Sequence, residues 1–326
     1  MLLETIKYLT GAAGRSGFGS KSTAEQVTCD ISLCNLTAII TGASSGIGAE
    51  TARVLAKQGA RLVLPVRSLK AGEETKARIL VECPEAEVVI MKLDLSSISS
   101  VRSFVADFES LDSPLSILIN NAGRFYFDHG ISEDGIEMSF ATNYLGHFLL
   151  AKLLLERMRE TAARTGVQGR IVNVTSNTYT WFSGNLFGYL ELITKDGRQY
   201  DPTRAYALSK LAIVLFTQEL ANVFQEMEAN VTVNCVHPGV VKTRLTRDRE
   251  GIATDLAFFL ASKLVKTIPQ AAATTCYVAT HPSLLNVTGK YFEDCNEAAM
   301  SKMGSDMIKP KELWSRSLVM VESINS

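Results

Sequence analysis

The chain has 326 residues, 46% of them hydrophobic, and 33 basic side chains stand against 34 acidic ones for a net charge of −1. That balance excludes a disordered chain and a polyanion-binding surface. With 21% charged residues and 8 prolines, nothing marks a low-complexity tail, a collagen-like repeat or a coiled coil, and one large core is the simplest reading of the length.

The first 20 residues mix Glu4, Lys7 and Arg15 with glycines and lack the apolar run of a signal peptide. Ser22-Thr23-Ala24-Glu25-Gln26 has capping-box spacing, so a short helix is expected within an N-terminal extension over 1–34. Over 35–326, short apolar β-branched segments at 37–41, 61–66, 87–93, 116–120, 170–175, 231–236 and 288–292 alternate with stretches of helical period. This is the α/β pattern of a parallel sheet wound by crossover helices, and seven strands imply one sheet. A helix over 47–58 follows the first strand, with Ile47, Val54 and Leu55 on one side and Gly59 suited to its left-handed stop.

Pro65 departs from this pattern: proline interrupts ladder bonding near the end of a central strand and leaves the path into Arg67 open. Between the fifth strand and the next helix lies an aromatic insertion from Tyr179 to Tyr200. A second long connection, about 240–265, reads as a substrate lid or a core helix; its apolar stretch 256–265 is broken by Ser262 and Lys263. No run reaches the ~18–20 apolar residues of a spanning helix, so no transmembrane segment is expected. The six cysteines, at 29, 34, 83, 235, 276 and 295, form no CxxC pair and have no histidine at metal-ligand spacing. They read as buried small hydrophobes in a reducing compartment, which favours a cytoplasmic location, and no metal is expected.

Thr41-Gly42-Ala43-Ser44-Ser45-Gly46-Ile47-Gly48 follows a strand and opens a helix, the context a phosphate-binding glycine turn requires. Alone it is weak, because structural turns of this kind occur without ligands. Further segments follow in order: Asp94-Leu95-Ser96-Ser97, Asn120-Asn121-Ala122-Gly123, Ser176, Tyr206-Ala207-Leu208-Ser209-Lys210 and Pro238-Gly239. Tyr206 and Lys210 stand four apart and share a helix face. An ammonium beside a phenol favours the phenolate, so the pair can exchange a proton with a substrate oxygen that Ser176 also hydrogen-bonds. A Tyr-x-x-x-Lys pair by itself is more often one face of an amphipathic helix; its neighbours here shift the reading to catalysis.

With these segments in this order, the sequence resembles the short-chain dehydrogenase/reductase superfamily over about 36–295. Residues 16–28 are similar to the plant retinol-dehydrogenase-like branch, which includes a dehydrogenase associated with the chloroplast inner-envelope import machinery. The resemblance implies a Rossmann fold with helices on both faces and a chloroplast location as the alternative to the cytoplasm. It implies catalysis by Asn143, Ser176, Tyr206 and Lys210, with Asn143 organising a water-linked proton relay and Lys210 also holding the nicotinamide ribose. The implied cofactor contacts are Gly42, Ser44, Ser45, Gly46, Ile47, Gly48, Asp94 beside the adenine, Leu95, Asn121, Ala122, Gly123, Pro238, Gly239 and Thr243. Asp94 reads equally as an N-cap.

Arg67 follows the second strand, where a carboxylate would bind the 2′-hydroxyl of NAD. An arginine there suits a 2′-phosphate and points to NADPH/NADP+, unless it is a solvated surface group. Phe125, Trp181, Phe182 and Phe187 either wall a bulky apolar pocket or fill the core. His147 and His237 read as structural. The expected activity is an NADPH-dependent oxidoreductase interconverting a small hydrophobic carbonyl compound and its alcohol, with no nucleic-acid partner. The rival is a dinucleotide-bound sensor or a scaffold subunit of a chloroplast-envelope assembly.

Overall fold

The computed structural model describes residues 8–241 and 265–323. Their elements in chain order begin with α1 (Ala24–Thr28), β1 (Thr37–Ile40), α2 (Gly46–Lys57), β2 (Arg61–Val66), α3 (Leu69–Glu82), β3 (Val88–Lys92), α4 (Ile98–Ser110) and β4 (Ile117–Asn120). After a short turn of helix, Met138–Phe140, and a π-helical turn, Ala141–Leu145, come α5 (Gly146–Thr165), β5 (Gly169–Val174), α6 (Leu186–Lys195), α7 (Pro202–Glu226) and β6 (Val231–His237). The chain then forms α8 (Ile268–Thr280), β7 (Tyr291–Glu293), β8 (Asn296–Ala298) and α9 (Lys309–Ser323).

The strands form one sheet in the order β3-β2-β1-β4-β5-β6-β7-β8, parallel from β3 through β7. Alternation along each strand sends its side chains to two cores. On one face Ile39, Val63, Leu118, Ile171 and Val233 pack with residues of α4, α5, α7 and α9. On the other, Ala38, Ile40, Leu62, Ile119, Val172 and Val236 pack with residues of α1, α2, α3 and α8. Both faces being covered explains why the strands read as continuous apolar runs. The order reverses between β1 and β4, so the crevice of this doubly wound sheet opens beyond the C-terminal ends of those strands.

The structure adds to the seven expected strands an eighth, β8, antiparallel to β7. Its two-residue turn is Asp294-Cys295, at φ +50° and +62°, and lacks the Asn-Gly or Asp-Gly signature of such a hairpin. The Cys295 amide donates to Thr274 Oγ1 at 3.2 Å. Asn296 fixes the extension to this hairpin: its Nδ2 donates to the Phe18 carbonyl at 3.0 Å and its Oδ1 accepts from the Ser16 amide at 3.0 Å. The capping box forms between Thr23 and Gln26.

Pro65 does not break β2. Arg61 donates to Leu36 and Leu62 to Glu87, so alternation turns odd-numbered residues toward β1. The last registered pair on that side is Ile39 with Val63, while the β3 ladder runs on to Val66 with Lys92. The missing N–H therefore falls where no ladder bond is needed.

The aromatic insertion is not an open loop, because it contains α6. Asn185 caps that helix by accepting from the Gly188 amide, and Leu186, Leu190 and Ile193 are buried along one face. Of the cysteines, Cys235, Cys276 and Cys295 are buried, whereas Cys29 and Cys34 are exposed and Cys83 is half-buried, a correction to the expectation for all six. Among the described residues, α7 alone is long and apolar enough to cross a membrane, and it is mostly buried in the protein core. The expected lid falls largely on 242–264, outside the described residues.

Candidate functional site

The glycine turn runs from Thr41 at the end of β1 into α2. Gly42 has φ +67°, and a Cβ there would lie 2.7 Å from the Ala122 Cα; Gly46 has φ +58°. Side chains at these two positions would be strained, and the first would also close the contact between the β1 and β4 loops. Ser45 caps α2 by position but makes no side-chain bond to its amides. The start of a 12-residue helix is thus left with donors for an anion, beside Ser44 and Ile47, which fits a dinucleotide pyrophosphate.

Thr41 ties this turn to the β4 loop. Its Oγ1 accepts from the Asn121 and Ala122 amides, each at 2.9 Å, and its carbonyl accepts from Asn121 Nδ2 at 2.9 Å. At the other end of that loop, Asn143 Oδ1 accepts from the Arg124 amide at 2.8 Å. Asn143 Nδ2 donates to the Arg124 carbonyl at 2.9 Å and to Ser209 Oγ at 3.0 Å. Asn143 is fully buried in the π-helical turn. The helix entering that turn begins at Glu137, whose buried carboxylate accepts from the Ser139 and Phe140 amides at 2.8 Å; burial pushes its pKa up.

Tyr206 and Lys210 lie on one face of α7, with the ammonium 5.6 Å from the phenol ring centre. Tyr206 is 8% exposed and Lys210 3%. Lys210 Nζ donates to the Val174 carbonyl at 3.1 Å, and a Cβ on Gly123 would stand 3.2 Å from it, so β5, α7 and the Asn121–Gly123 loop converge on this amine. Burial works against the charged form of both groups: it pushes the phenol up from its ordinary value and the amine down to about 8. Sequence reasoning weighed only the attraction of ammonium for phenolate; here desolvation is the larger effect on each. Ser176 follows β5 and is half-buried, its Oγ accepting from the Thr178 amide at 3.3 Å. His237 Nδ1 accepts from the neighbouring Asn177 amide at 3.3 Å, and burial with the charges of Lys266 and Lys210 pushes its pKa down to about 3.

The aromatic residues divide. Phe125 packs on Tyr206 at 5.3 Å between ring centres and on Phe127 at 4.8 Å. Phe182 and Phe187 are core residues, 2% and 8% exposed, covered by Arg204 and Arg316 respectively, and Trp181 is 65% exposed. Only Phe125 among the four touches the tyrosine in the contacts observed; Phe182 and Phe187 pack into the core and Trp181 lies on the surface.

At the other end of the crevice Arg67 is exposed, and Lys92 Nζ donates to its carbonyl at 2.6 Å. Asp94 is not the N-cap of α4: Ser97 is, accepting from the Ser100 amide. Asp94 Oδ1 instead closes an Asx turn by accepting from the Ser96 amide at 3.0 Å and Ser96 Oγ at 2.7 Å, and Leu95 is buried. Pro238 and Gly239 follow β6, with Gly239 against Lys266, which ion-pairs with Asp294 at 2.5 Å. Thr243 lies outside the described residues. Thr41, Lys92 and Ser209 were not singled out from the sequence. Ser209 was within reach of it, sitting beside Lys210, but its bonding partner is 66 positions away.

The glycine turn at the reversal point of a doubly wound parallel sheet places the fold in the dinucleotide-binding α/β class. The short chain dehydrogenase family model matches residues 36–187 and 196–251, and the chain belongs to that family. It is 47% identical over 324 residues to short-chain dehydrogenase TIC 32 A, chloroplastic, of Brassica napus, covering 99% of this chain and 100% of the relative. It is 36% identical to retinol dehydrogenase 12 of Mus musculus, over 95% of this chain and 92% of that one. The fold matches the crystal structure of an uncharacterized protein from Mycobacterium Paratuberculosis with a TM-score of 0.71 and 30% identity, covering 93% of this chain and 98% of the other.

Proposed function

We propose that this protein is an NADPH-dependent oxidoreductase that interconverts a hydrophobic carbonyl compound and its alcohol. The observation that carries the reading is the buried Tyr206–Lys210 pair, with the Phe125 ring against the phenol. When bound, the nicotinamide supplies or accepts the hydride.

The protein's own groups handle the proton and the oxygen. Burial keeps the Tyr206 hydroxyl protonated at neutral pH, the form that carbonyl reduction consumes, and the proton leaves Tyr206 Oη as negative charge develops on the substrate oxygen. Lys210 stabilises the phenolate left behind and spends only one of its three N–H donors on Val174. Ser176 Oγ accepts from Thr178, so its own O–H remains to donate to the same substrate oxygen. Asn143 sets the loop that faces Lys210. The apolar Phe125 and Phe127 rings favour a hydrophobic substrate and exclude water from the phenol.

NADPH is preferred because the end of β2 offers Arg67 and no carboxylate, while Lys92 fixes the arginine's backbone and adds a second positive charge nearby. The TIC 32 relative supports a chloroplast location over a cytoplasmic one. The test is a panel of ketones, aldehydes and alcohols with NADPH or NADH, read by absorbance of the reduced cofactor. Turnover of apolar carbonyls with NADPH supports the reading. Dinucleotide binding without turnover of any compound would favour a sensor or scaffold instead.

A further inference from the structure

The loop 121–124 is anchored at both ends, by Thr41 at Asn121 and Ala122 and by Asn143 at Arg124. One buried side chain joins the two anchors. His147 Nε2 lies 2.9 Å from Thr41 Oγ1 and its Nδ1 lies 2.9 Å from the Asn143 carbonyl. A carbonyl can only accept, so Nδ1 carries the proton and donates. With the proton on Nδ1 the neutral Nε2 can only accept, so the Thr41 hydroxyl hydrogen points at it at 2.9 Å in preference to the Ile119 carbonyl at 3.4 Å. The ring is 3% exposed, and burial pushes its pKa down to about 4, which keeps it neutral and holds this single tautomer at physiological pH.

We propose that His147 is a positioning residue: as a strut between Thr41 and Asn143 it sets the Asn121–Gly123 loop against Lys210, and so couples dinucleotide seating to proton transfer. The geometry closes a ring of bonds through Thr41, the loop, Asn143 and back through the imidazole. A change at either anchor therefore moves the backbone beside the Lys210 amine, where Gly123 leaves 3.2 Å for a Cβ. The inference rests on the proposed function of Tyr206 and Lys210, for which it names a supporting residue.

Two isosteric substitutions separate the two bonds. Asparagine reproduces the Nδ1 donor and glutamine the Nε2 acceptor. His147→Asn keeps the bond to Asn143 and loses Thr41; it is expected to weaken NADPH binding, read by cofactor fluorescence, about tenfold and to lower kcat at saturation about threefold to tenfold, because the loosened loop also stands beside Lys210. His147→Gln keeps Thr41 and loses Asn143; it is expected to lower kcat on the order of tenfold to a hundredfold and to weaken NADPH binding by about threefold to tenfold. A loss confined to NADPH affinity in His147→Asn and to kcat in His147→Gln, or wild-type behaviour in both, would overturn the coupling. A measurement on the unaltered protein guards against variants that fail to fold: nitrogen-15 spectra of labelled histidine at neutral pH should show His147 as the Nδ1–H tautomer, and an Nε2–H or charged ring there would equally overturn it. Full turnover in Tyr206→Phe would remove the functional reading itself, a result distinct from either of these.

Discussion

The two ends of the crevice are built on opposite principles. At the end proposed for the nicotinamide, Asn143, Tyr206 and Lys210 are all buried, and the Asn143 side chain makes three hydrogen bonds within one closed network. At the end proposed for the adenosine, Arg67 and Lys92 are exposed and joined by a single bond to a carbonyl. Buried groups are over-determined by their surroundings and respond steeply to change, whereas exposed charges are screened and tune preference by smaller factors. The chemistry is therefore assigned to the dry end and the choice of cofactor to the wet one.

Several substitutions probe this division, in descending order of effect. Lys210→Met is expected to lower turnover by roughly a thousandfold, because the phenolate loses its partner. The same change should make the protein more stable. The folded amine titrates near about 8 and the unfolded one near 10.5, so the wild type carries a disfavoured buried charge at pH 7. Removing it gains up to about 3 kcal/mol, in full below about pH 8 and vanishing by about pH 10.5. A lower melting temperature at pH 7 would contradict the burial argument.

At the exposed end, Arg67→Glu should weaken NADPH about tenfold to a hundredfold and leave NADH nearly unchanged, measured by equilibrium titration of each. An unaltered preference would remove the phosphate assignment. Between the two ends, Phe125→Ala should cost about tenfold in kcat/KM for a bulky apolar carbonyl and little for a small aldehyde; equal losses on both would mean the ring supports Tyr206 and does not select substrate.

The smallest effect concerns acid. His147 and His237 titrate near about 4 and about 3 when folded against 6.5 unfolded. Their unfolded forms take up protons first as pH falls, so stability is complete above about pH 6.5 and declines below it. Melting temperatures followed from pH 7 to pH 5 should fall, and His147→Gln should flatten the slope by about one proton's worth.

The sheet was legible because each strand is a short apolar run ended by a turn residue: 61–66 and 37–41 match β2 and β1 within a residue. The seventh strand was misjudged, since Gly289 takes φ +70° and delays β7 to Tyr291. β8 escaped notice because its turn uses Asp294 and Cys295 in conformations that favour glycine or asparagine. In the site, residues close in sequence were readable: the glycine turn, and Tyr206 with Lys210. Bonds that exist only through the fold were not, among them Thr41 to His147 across 106 positions and Asn143 to Ser209 across 66. Periodicity also could not distinguish Phe125, which meets the phenol, from Phe182 and Phe187, which fill the core.

The central claim is that the Tyr206 hydroxyl transfers the proton in carbonyl reduction. Turnover and NADPH affinity measured together in Tyr206→Phe test it most directly. The account predicts turnover down by at least about a thousandfold with affinity within a few-fold of wild type; undiminished turnover in that variant would contradict it.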